Sequence, residues 1–347
     1  MAAVRVLVCE DSRVYAVALR RMLEYDGDIE VLAVCGTAEE ALAALPRLQP
    51  DLVTMDVELP GMSGVDAVGE IMGSQPVPIL VLSTYADFGN DKAAAALVGG
   101  ALDAIAKDDL DLDDPAGTAG ATFRQQVIKL SQARVIRNSQ GRPSPVTAAT
   151  GPARRAAAIG VCASAGGPEM LMFLLTALPD DYPVPLLIVQ HMAAGFTDGL
   201  VRWLDRAAGM PVRTAADGTR AGPGAWIAPH GADLTLTSSG HLALGRRTVA
   251  GPHRPSGDLL LQSIAEAAGR NGVAVVLSGM GPDGAAGAAA VQRAGGLAIA
   301  QDEKSSAVFE MPRAAIDRGV TTVLSPGEIA GQLRGLRSVT QREGKTV

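Results

Sequence analysis

Short apolar runs recur at 5–9, 30–35, 52–55, 78–83 and 104–106, and helix-like segments fill the intervals between them. Strand alternating with helix in this way predicts a doubly wound parallel sheet. The pattern begins again at 156–162, 185–190, 225–228, 273–278, 297–300 and 321–324, with helical segments after most of these runs. A second, largely parallel α/β sheet follows. Within it, the alternating stretches 234–237 and 241–244 flank Ser238-Ser239-Gly240, which predicts a β-hairpin. Between the two series a helical pattern over 123–133 gives way, over 137–155, to Asn, Ser, Gly, Pro, Thr and Ala without a periodic apolar face. Such a segment reads as an extended tether. The expected organisation is one domain over 1–125, a linker over 126–155 and a second domain over 156–347.

Composition agrees with two domains. A chain of 347 residues, 48% of them hydrophobic, is long enough and apolar enough for two cores. The formal net charge of -7 and the pI near 5.2 argue against nucleic-acid binding, because phosphate affinity needs clustered Lys and Arg. Basic residues gather only in pairs such as Arg154-Arg155 and Arg246-Arg247. The opening stretch 1–8 lacks a basic flank ahead of a long apolar core and meets Glu10-Asp11, so it reads as a strand rather than a signal peptide. No window has the apolar length of a bilayer span. A cytoplasmic, monomeric protein without membrane insertion is expected. Cys9, Cys35 and Cys162 are too scattered for a disulfide framework or a zinc site and should pack as small apolar residues. Cys162 lies inside a strand run rather than at its end, a poor place for a nucleophile.

Ligands of parallel α/β sheets sit beyond the carboxyl ends of the strands. In the first half those ends carry Glu10 and Asp11, Asp56, Ser83 and Thr84, and Lys107. Carboxylates converging on one sheet edge repel each other unless a cation sits among them, and such oxygen ligands suit Mg²⁺. A lysine and a hydroxyl could then hold the oxygens of a phosphoryl group on Asp56. Glu10-Asp11, Asp56 followed by Leu59-Pro60-Gly61-Met62-Ser63-Gly64, Ser83 and Lys107 together resemble the receiver domain of two-component response regulators, a flavodoxin-like fold. The resemblance implies phosphotransfer from a histidine kinase to Asp56, with Mg²⁺ bound by Glu10, Asp11 and Asp56. Two positions depart from it. Asp108 stands where that family usually has proline, and Ala104 where it usually has an aromatic switch residue, so an aromatic relay cannot operate through Ala104.

The second half ends its strands on different chemistry. Ser164 follows the first run and Gly166-Gly167 lets the backbone turn before a helix beginning at Glu169, which should leave the serine exposed. Taken alone, a phosphate-cradling loop or a tight turn explains this stretch equally well. His191 follows the second run, and Asp283 follows the run 273–278. A serine hydroxyl needs a base, and the base needs a carboxylate to hold its tautomer and stabilise the imidazolium. Of the other histidines, His230 lies in a Pro-His-Gly turn, His241 in the hairpin, and His253 on a loop that could line the site without supplying the base. The loop Gly279-Met280-Gly281 can present main-chain N–H groups to a tetrahedral oxygen, with the N–H of Ala165 beside the nucleophile. The order serine, histidine, acid differs from that of the α/β-hydrolases.

Ser164-Ala165-Gly166-Gly167, Gln190-His191-Met192, Ile227-Ala228-Pro229, His253-Arg254-Pro255-Ser256, Gly279-Met280-Gly281-Pro282-Asp283-Gly284 and Gln301-Asp302-Glu303 resemble the catalytic domain of the CheB family of chemotaxis protein-glutamate methylesterases. The resemblance implies a Rossmann-like α/β domain that hydrolyses glutamate γ-methyl esters on the cytoplasmic helices of methyl-accepting chemoreceptors and deamidates certain glutamines, with no cofactor in the ester chemistry. It implies Ser164 as nucleophile, His191 as general base and acid, Asp283 as orienting carboxylate, and the N–H of Met280 in the oxyanion hole. Glu310, in Val308-Phe309-Glu310-Met311-Pro312, stands where that family commonly has glycine and bears on substrate preference. The expected regulation is a receiver that covers the active-site edge until Asp56 is phosphorylated. A signalling adaptor that works by phosphorylation-dependent binding is the alternative. A nucleotide-binding Rossmann domain built on Gly166-Gly167 would leave His191 and Asp283 unexplained.

Overall fold

The computed structural model describes residues 2–84, 91–135, 146, 154–245 and 254–339. The chain divides into two compact units, one of residues 1–142 together with 193–199 and one of 143–192 and 200–347. His253 and most of the expected linker lie outside the described residues. Among the described residues no helix is long and apolar enough to cross a membrane.

The first unit runs β1 (Val4–Cys9), α1 (Arg13–Leu23), β2 (Ile29–Cys35), α2 (Ala38–Leu48), β3 (Leu52–Asp56), α3 (Gly64–Ser74), β4 (Ile79–Ser83), α4 (Lys92–Val98), β5 (Asp103–Ala106) and α5 (Thr118–Ser131). Its strands form a parallel sheet in the order β2-β1-β3-β4-β5. Every residue of β3 and β4 is buried, as a parallel strand covered on both faces requires, which is why these strands read as unbroken apolar runs. Helices α1, α2 and α3 start on hydroxyls: Ser12, Thr37 and Ser63 each accept an amide N–H from the first turn. Strand order reverses between β1 and β3, so the crevice at their carboxyl ends receives Glu10, Asp11 and Asp56.

The second unit begins with β6 (Arg155–Ala156), β7 (Ala158–Ala163), α6 (Gly167–Ala177), β8 (Leu186–Gln190), α7 (Phe196–Ala207), β9 (Val212–Thr214) and β10 (Ala225–Ile227). It continues with β11 (Asp233–Leu236), β12 (Leu242–Gly245), α8 (Gly257–Ala268), β13 (Gly272–Val276), α9 (Ala285–Arg293), β14 (Leu297–Gln301), α10 (Glu310–Asp317), β15 (Thr322–Leu324), α11 (Pro326–Arg334) and β16 (Arg337–Ser338). The main sheet is parallel, in the order β15-β14-β13-β7-β8-β10-β9. The expected hairpin is the antiparallel pair β11 and β12. The apolar run read as one strand divides at Ala157: β6 pairs with β16, and β7 enters the main sheet. Helix α6 opens at Gly167, two residues ahead of the start read from the sequence, with Pro168 in its first turn, where a missing N–H is harmless.

From β7 the chain builds outward through β8 and β10, then returns to the other side of β7 to lay down β13, β14 and β15. Strand order therefore reverses between β7 and β13, and the crevice at that reversal is where Ser164 and the 277–284 loop meet. Cys162, Leu187, Leu260, Leu261, Ile264, Val276 and Met311 belong to the core cluster beneath it. The Cys162 thiol is buried there and its pKa is pushed well up by burial, the opposite of an activated nucleophile.

Candidate functional site

Parallel register sets Ala163 of β7 against Gln190 of β8, and the N–H of His191 donates to the carbonyl of Ala163 at 2.9 Å. Ser164 and His191 are thus the next residues along adjacent strands. On its other side Ser164 donates its N–H to the carbonyl of Ser278 at 3.0 Å. The turn that follows needs a left-handed residue, and Gly166 supplies it at φ 73°. Gln190, which the sequence reading left without a role, donates from Nε2 to the carbonyls of Ser164 (2.9 Å) and His191 (2.8 Å) and so ties the two strand ends together.

The serine is not exposed as expected. Ser164 retains only 8% of its accessible surface because the loop after β13 closes over it. A Cβ at Gly279 would lie 2.7 Å from the Ser164 Cβ, 2.9 Å from its N and 2.2 Å from the Met311 sulfur, so only glycine allows this approach. No hydrogen bond of the Ser164 hydroxyl is present among the described residues.

The histidine and the carboxylate do meet. His191 Nε2 lies 2.8 Å from Asp283 Oδ2, with the Asp283 side chain buried and that of His191 partly buried. Asp283 is also bound by the amino end of α8: Gly257 N–H donates to Oδ2 at 2.6 Å, and Asp258 N–H (3.0 Å) and Ser256 Oγ (3.2 Å) donate to Oδ1. Burial alone would raise its pKa, but the hydrogen bonds from His191, Asp258 and Gly257 outweigh it and bring the value down to about 2. Asp283 therefore stays ionised while fixing the ring that it faces. Ser256, Gly257 and Asp258 carried a readable signal, a serine cap opening an amphipathic helix, but nothing in their spacing tied them to residue 283.

The 279–281 loop is clamped by the segment that leads into α10. Gly279 N–H donates to Val308 O (3.0 Å), Met311 N–H donates to Gly279 O (3.0 Å), and Gly281 N–H donates to the carboxylate of Glu310 (2.8 Å). Among the described residues the N–H groups of Met280 and Ala165 donate to no acceptor. Behind them, Ser278 Oγ donates to the Ala165 carbonyl (2.8 Å) and accepts Val308 N–H (3.0 Å), while Gln301 Oε1 accepts Ser278 N–H (2.8 Å). His241 is engaged within the hairpin, where its N–H donates to Thr237 Oγ1.

In the first unit Glu10, Asp11 and Asp56 each present a carboxylate oxygen, all within 4.8 Å of one another. This set of hard oxygen donors, two buried and one open, fits a small divalent cation such as Mg²⁺. Lys107 Nζ lies 2.6 Å from both Glu10 Oε2 and Asp56 Oδ2. Burial pushes the Glu10 and Asp56 carboxyls up, and a single shared ammonium does not offset it. Lys107 itself is raised: its hydrogen bonds and charge pairing with Asp56 and Glu10 overcome its own burial. Ser83 is fully buried at the end of β4, and Ala104 is buried one strand over. Tyr15 went unnoticed in the sequence because an aromatic residue in α1 reads as packing; its ring centroid lies 4.6 Å from Lys107 Nζ.

Family comparison matches the CheB methylesterase model over residues 159–333 and the response regulator receiver domain over 6–113. The chain is 38% identical over 341 residues to a protein-glutamate methylesterase/protein-glutamine glutaminase of Paramagnetospirillum magneticum, covering 95% of both proteins. It is 42% identical over 317 residues to one of Myxococcus xanthus, covering 90% of this chain and 88% of that one. Among solved structures, the catalytic domain of Thermotoga maritima CheB methylesterase aligns with 52% of this chain and 97% of its own, at TM-score 0.50 and 35% identity.

Proposed function

The chain belongs to the CheB methylesterase family, with a receiver domain ahead of the catalytic one, and we propose that it hydrolyses glutamate γ-methyl esters on the cytoplasmic helices of chemoreceptors, and deamidates certain of their glutamines, in response to phosphorylation of Asp56 by a histidine kinase. In this reading the receiver spans 1–125, a tether 126–155 and the esterase 156–347, and the protein works in the cytoplasm as a monomer without inserting into a membrane or binding nucleic acid.

The observation that carries the chemistry is the hydrogen-bonded His191–Asp283 pair at the strand end next to Ser164. Because Asp283 holds Nε2, the nitrogen that takes the Ser164 proton is Nδ1. The hydroxyl oxygen attacks the ester carbonyl as its proton passes to His191. The N–H groups of Met280 and Ala165 hold the oxygen that becomes negative. Collapse of the tetrahedral species expels methoxide, which takes the proton from His191 and leaves as methanol. Water then attacks the acyl-serine, delivering one proton to His191 and on to the departing Ser164 oxygen, and the glutamate side chain leaves as a carboxylate, its remaining proton passing to solvent. Asp283, ionised to about pH 2, stabilises the imidazolium in both halves of the cycle. An adaptor would have no use for this pair.

In the receiver, Glu10, Asp11 and Asp56 would hold Mg²⁺, which when bound neutralises charge on the phosphoryl oxygens during transfer. Lys107 then exchanges its bond to Asp56 for a phosphoryl oxygen, with the Ser83 hydroxyl as a further donor. The test is methyl-ester hydrolysis by the full chain with and without a small-molecule phosphodonor. Faster hydrolysis after phosphorylation is expected; equal rates with Asp56 demonstrably phosphorylated would reject the regulation.

A further inference from the structure

We infer that Glu310 is a positioning residue for the oxyanion-binding amide of Met280. The 279–281 loop has three N–H groups. Two are used within the fold: Gly279 N–H goes to Val308 O at 3.0 Å and Gly281 N–H to Glu310 Oε2 at 2.8 Å. Met280 N–H lies between them. Met280 N–H shares a peptide plane with the Gly279 carbonyl, and Gly281 N–H belongs to the next plane, so the Glu310 bond holds the far side of the Met280 Cα about which the donor plane would otherwise pivot. On the Gly279 side there are two anchors, Gly279 N–H on Val308 O and Met311 N–H on Gly279 O at 3.0 Å, the second on the donor plane itself. On the Gly281 side it is the Glu310 carboxylate alone, and Gly281 sits at φ 83°, where glycine has ample freedom to move if released.

The contact is chemically suited to this task. An amide donating to a carboxylate makes a stronger bond than an amide donating to a neutral acceptor. The carboxylate comes from the first turn of α10, so its backbone is fixed by a helix whose Met311 and Pro312 are buried. Glu310 is itself exposed. Among the described residues it makes no hydrogen bond or ion pair with Ser164 or His191, and its bond to Gly281 N–H passes its influence on the reaction through the loop. Oxyanion donors act by being in place before charge develops, and loss of one donor costs about 10²- to 10³-fold in rate. Loosening a donor rather than deleting it should cost less, and should lower kcat more than it raises KM.

The inference rests on Met280 N–H serving the oxyanion, and its test separates the two. The full chain, activated with a small-molecule phosphodonor, is assayed for methanol release from methylated receptor fragments as wild type, Glu310→Ala and Glu310→Gln. Glu310→Ala should lower kcat about tenfold with KM within about twofold. Glu310→Gln keeps a side-chain oxygen for Gly281 N–H and should return to within about threefold of wild type. Deuterium exchange of the 277–284 peptide should quicken in Glu310→Ala and not in Glu310→Gln. An unchanged kcat in Glu310→Ala, a change confined to KM, or a Gln variant as impaired as the Ala variant would overturn the inference. Wild-type chain inactive on the methyl ester would instead refute the proposed function. The exchange measurement would then decide the anchoring by itself, unchanged exchange in Glu310→Ala refuting it. Thermal unfolding of each variant identifies any global loss of fold, and in that event Glu310→Gln and Glu310→Asp, whose shorter arm loses reach to Gly281, carry the comparison.

Discussion

Two crevices in this protein are built at the same place in a parallel sheet, just past the carboxyl ends of strands flanking a reversal of strand order, and each holds buried carboxylates. They treat those carboxylates in opposite ways. Asp283 receives four hydrogen bonds, from His191, Gly257, Asp258 and Ser256, and its pKa falls to about 2. Glu10 and Asp56 share one ammonium, and burial pushes both upward. A carboxylate given donors is a finished part that steers a neighbour, whereas carboxylates left short of positive charge are a site waiting for a cation and a phosphoryl group.

The largest effect that would break this contrast lies at the finished carboxylate. Asp283→Asn keeps one acceptor oxygen, enough for Gly257 N–H or for Asp258 N–H and Ser256 Oγ but not for both sides, and removes the charge that supports the imidazolium; kcat should fall about 10³- to 10⁴-fold with little change in KM. Steady-state methanol release checks this, and a loss below tenfold would mean that Asp283 only caps a helix. Next in size is the effect of Mg²⁺ on the receiver. At a concentration about a hundred times its dissociation constant it should add about 2.7 kcal/mol to stability, read as slower hydrogen exchange in β3, and Asp56→Asn should shrink the gain.

Acid should separate the two sites by a similar amount. The depressed pKa of Asp283 gives stability that is present above the unfolded value near about 4 and is lost as pH falls toward 2, on the order of 2 kcal/mol. The raised pKa values of Glu10 and Asp56 work the other way: their contribution is present in acid and is lost as pH rises through the folded-state values. Without Mg²⁺, protection factors, from which the intrinsic pH dependence of amide exchange has been divided out, should therefore fall in β13 below about pH 4 and rise in β3 as pH falls through the folded-state values of Glu10 and Asp56. Parallel behaviour of the two strands would contradict the contrast. Smallest is Gly279→Ala, whose Cβ would press on Met311 and Ser164; it should cost about 1–3 kcal/mol in urea unfolding and lower kcat through the displaced serine.

Much of this was legible in the chain because strands covered on both faces must be continuously apolar, so β3, β4, β7, β8 and β13 and the residues at their ends stood out. That is enough to nominate Asp56, Ser164, His191 and Asp283. Two short elements did not stand out: β9, three residues interrupted by Arg213, and β6, two residues that merged with the run of β7. Contacts made at long sequence separation were also invisible. The α8 amides that hold Asp283, the Gln190 bridge between strand ends, the Tyr15 ring beside Lys107 and the Glu310 anchor on Gly281 each join residues whose nearness depends on the finished fold. The expected exposure of Ser164 failed for the same reason, since a turn residue looks open until the loop that covers it is known to approach.

Methanol release from methylated receptor fragments by the phosphodonor-activated full chain, wild type against Ser164→Ala, tests the proposed chemistry most directly. Wild-type protein should release methanol and the alanine variant should lose about 10⁵- to 10⁶-fold in kcat; hydrolysis at the wild-type rate by Ser164→Ala would remove the serine, and with it the role given to the His191–Asp283 pair.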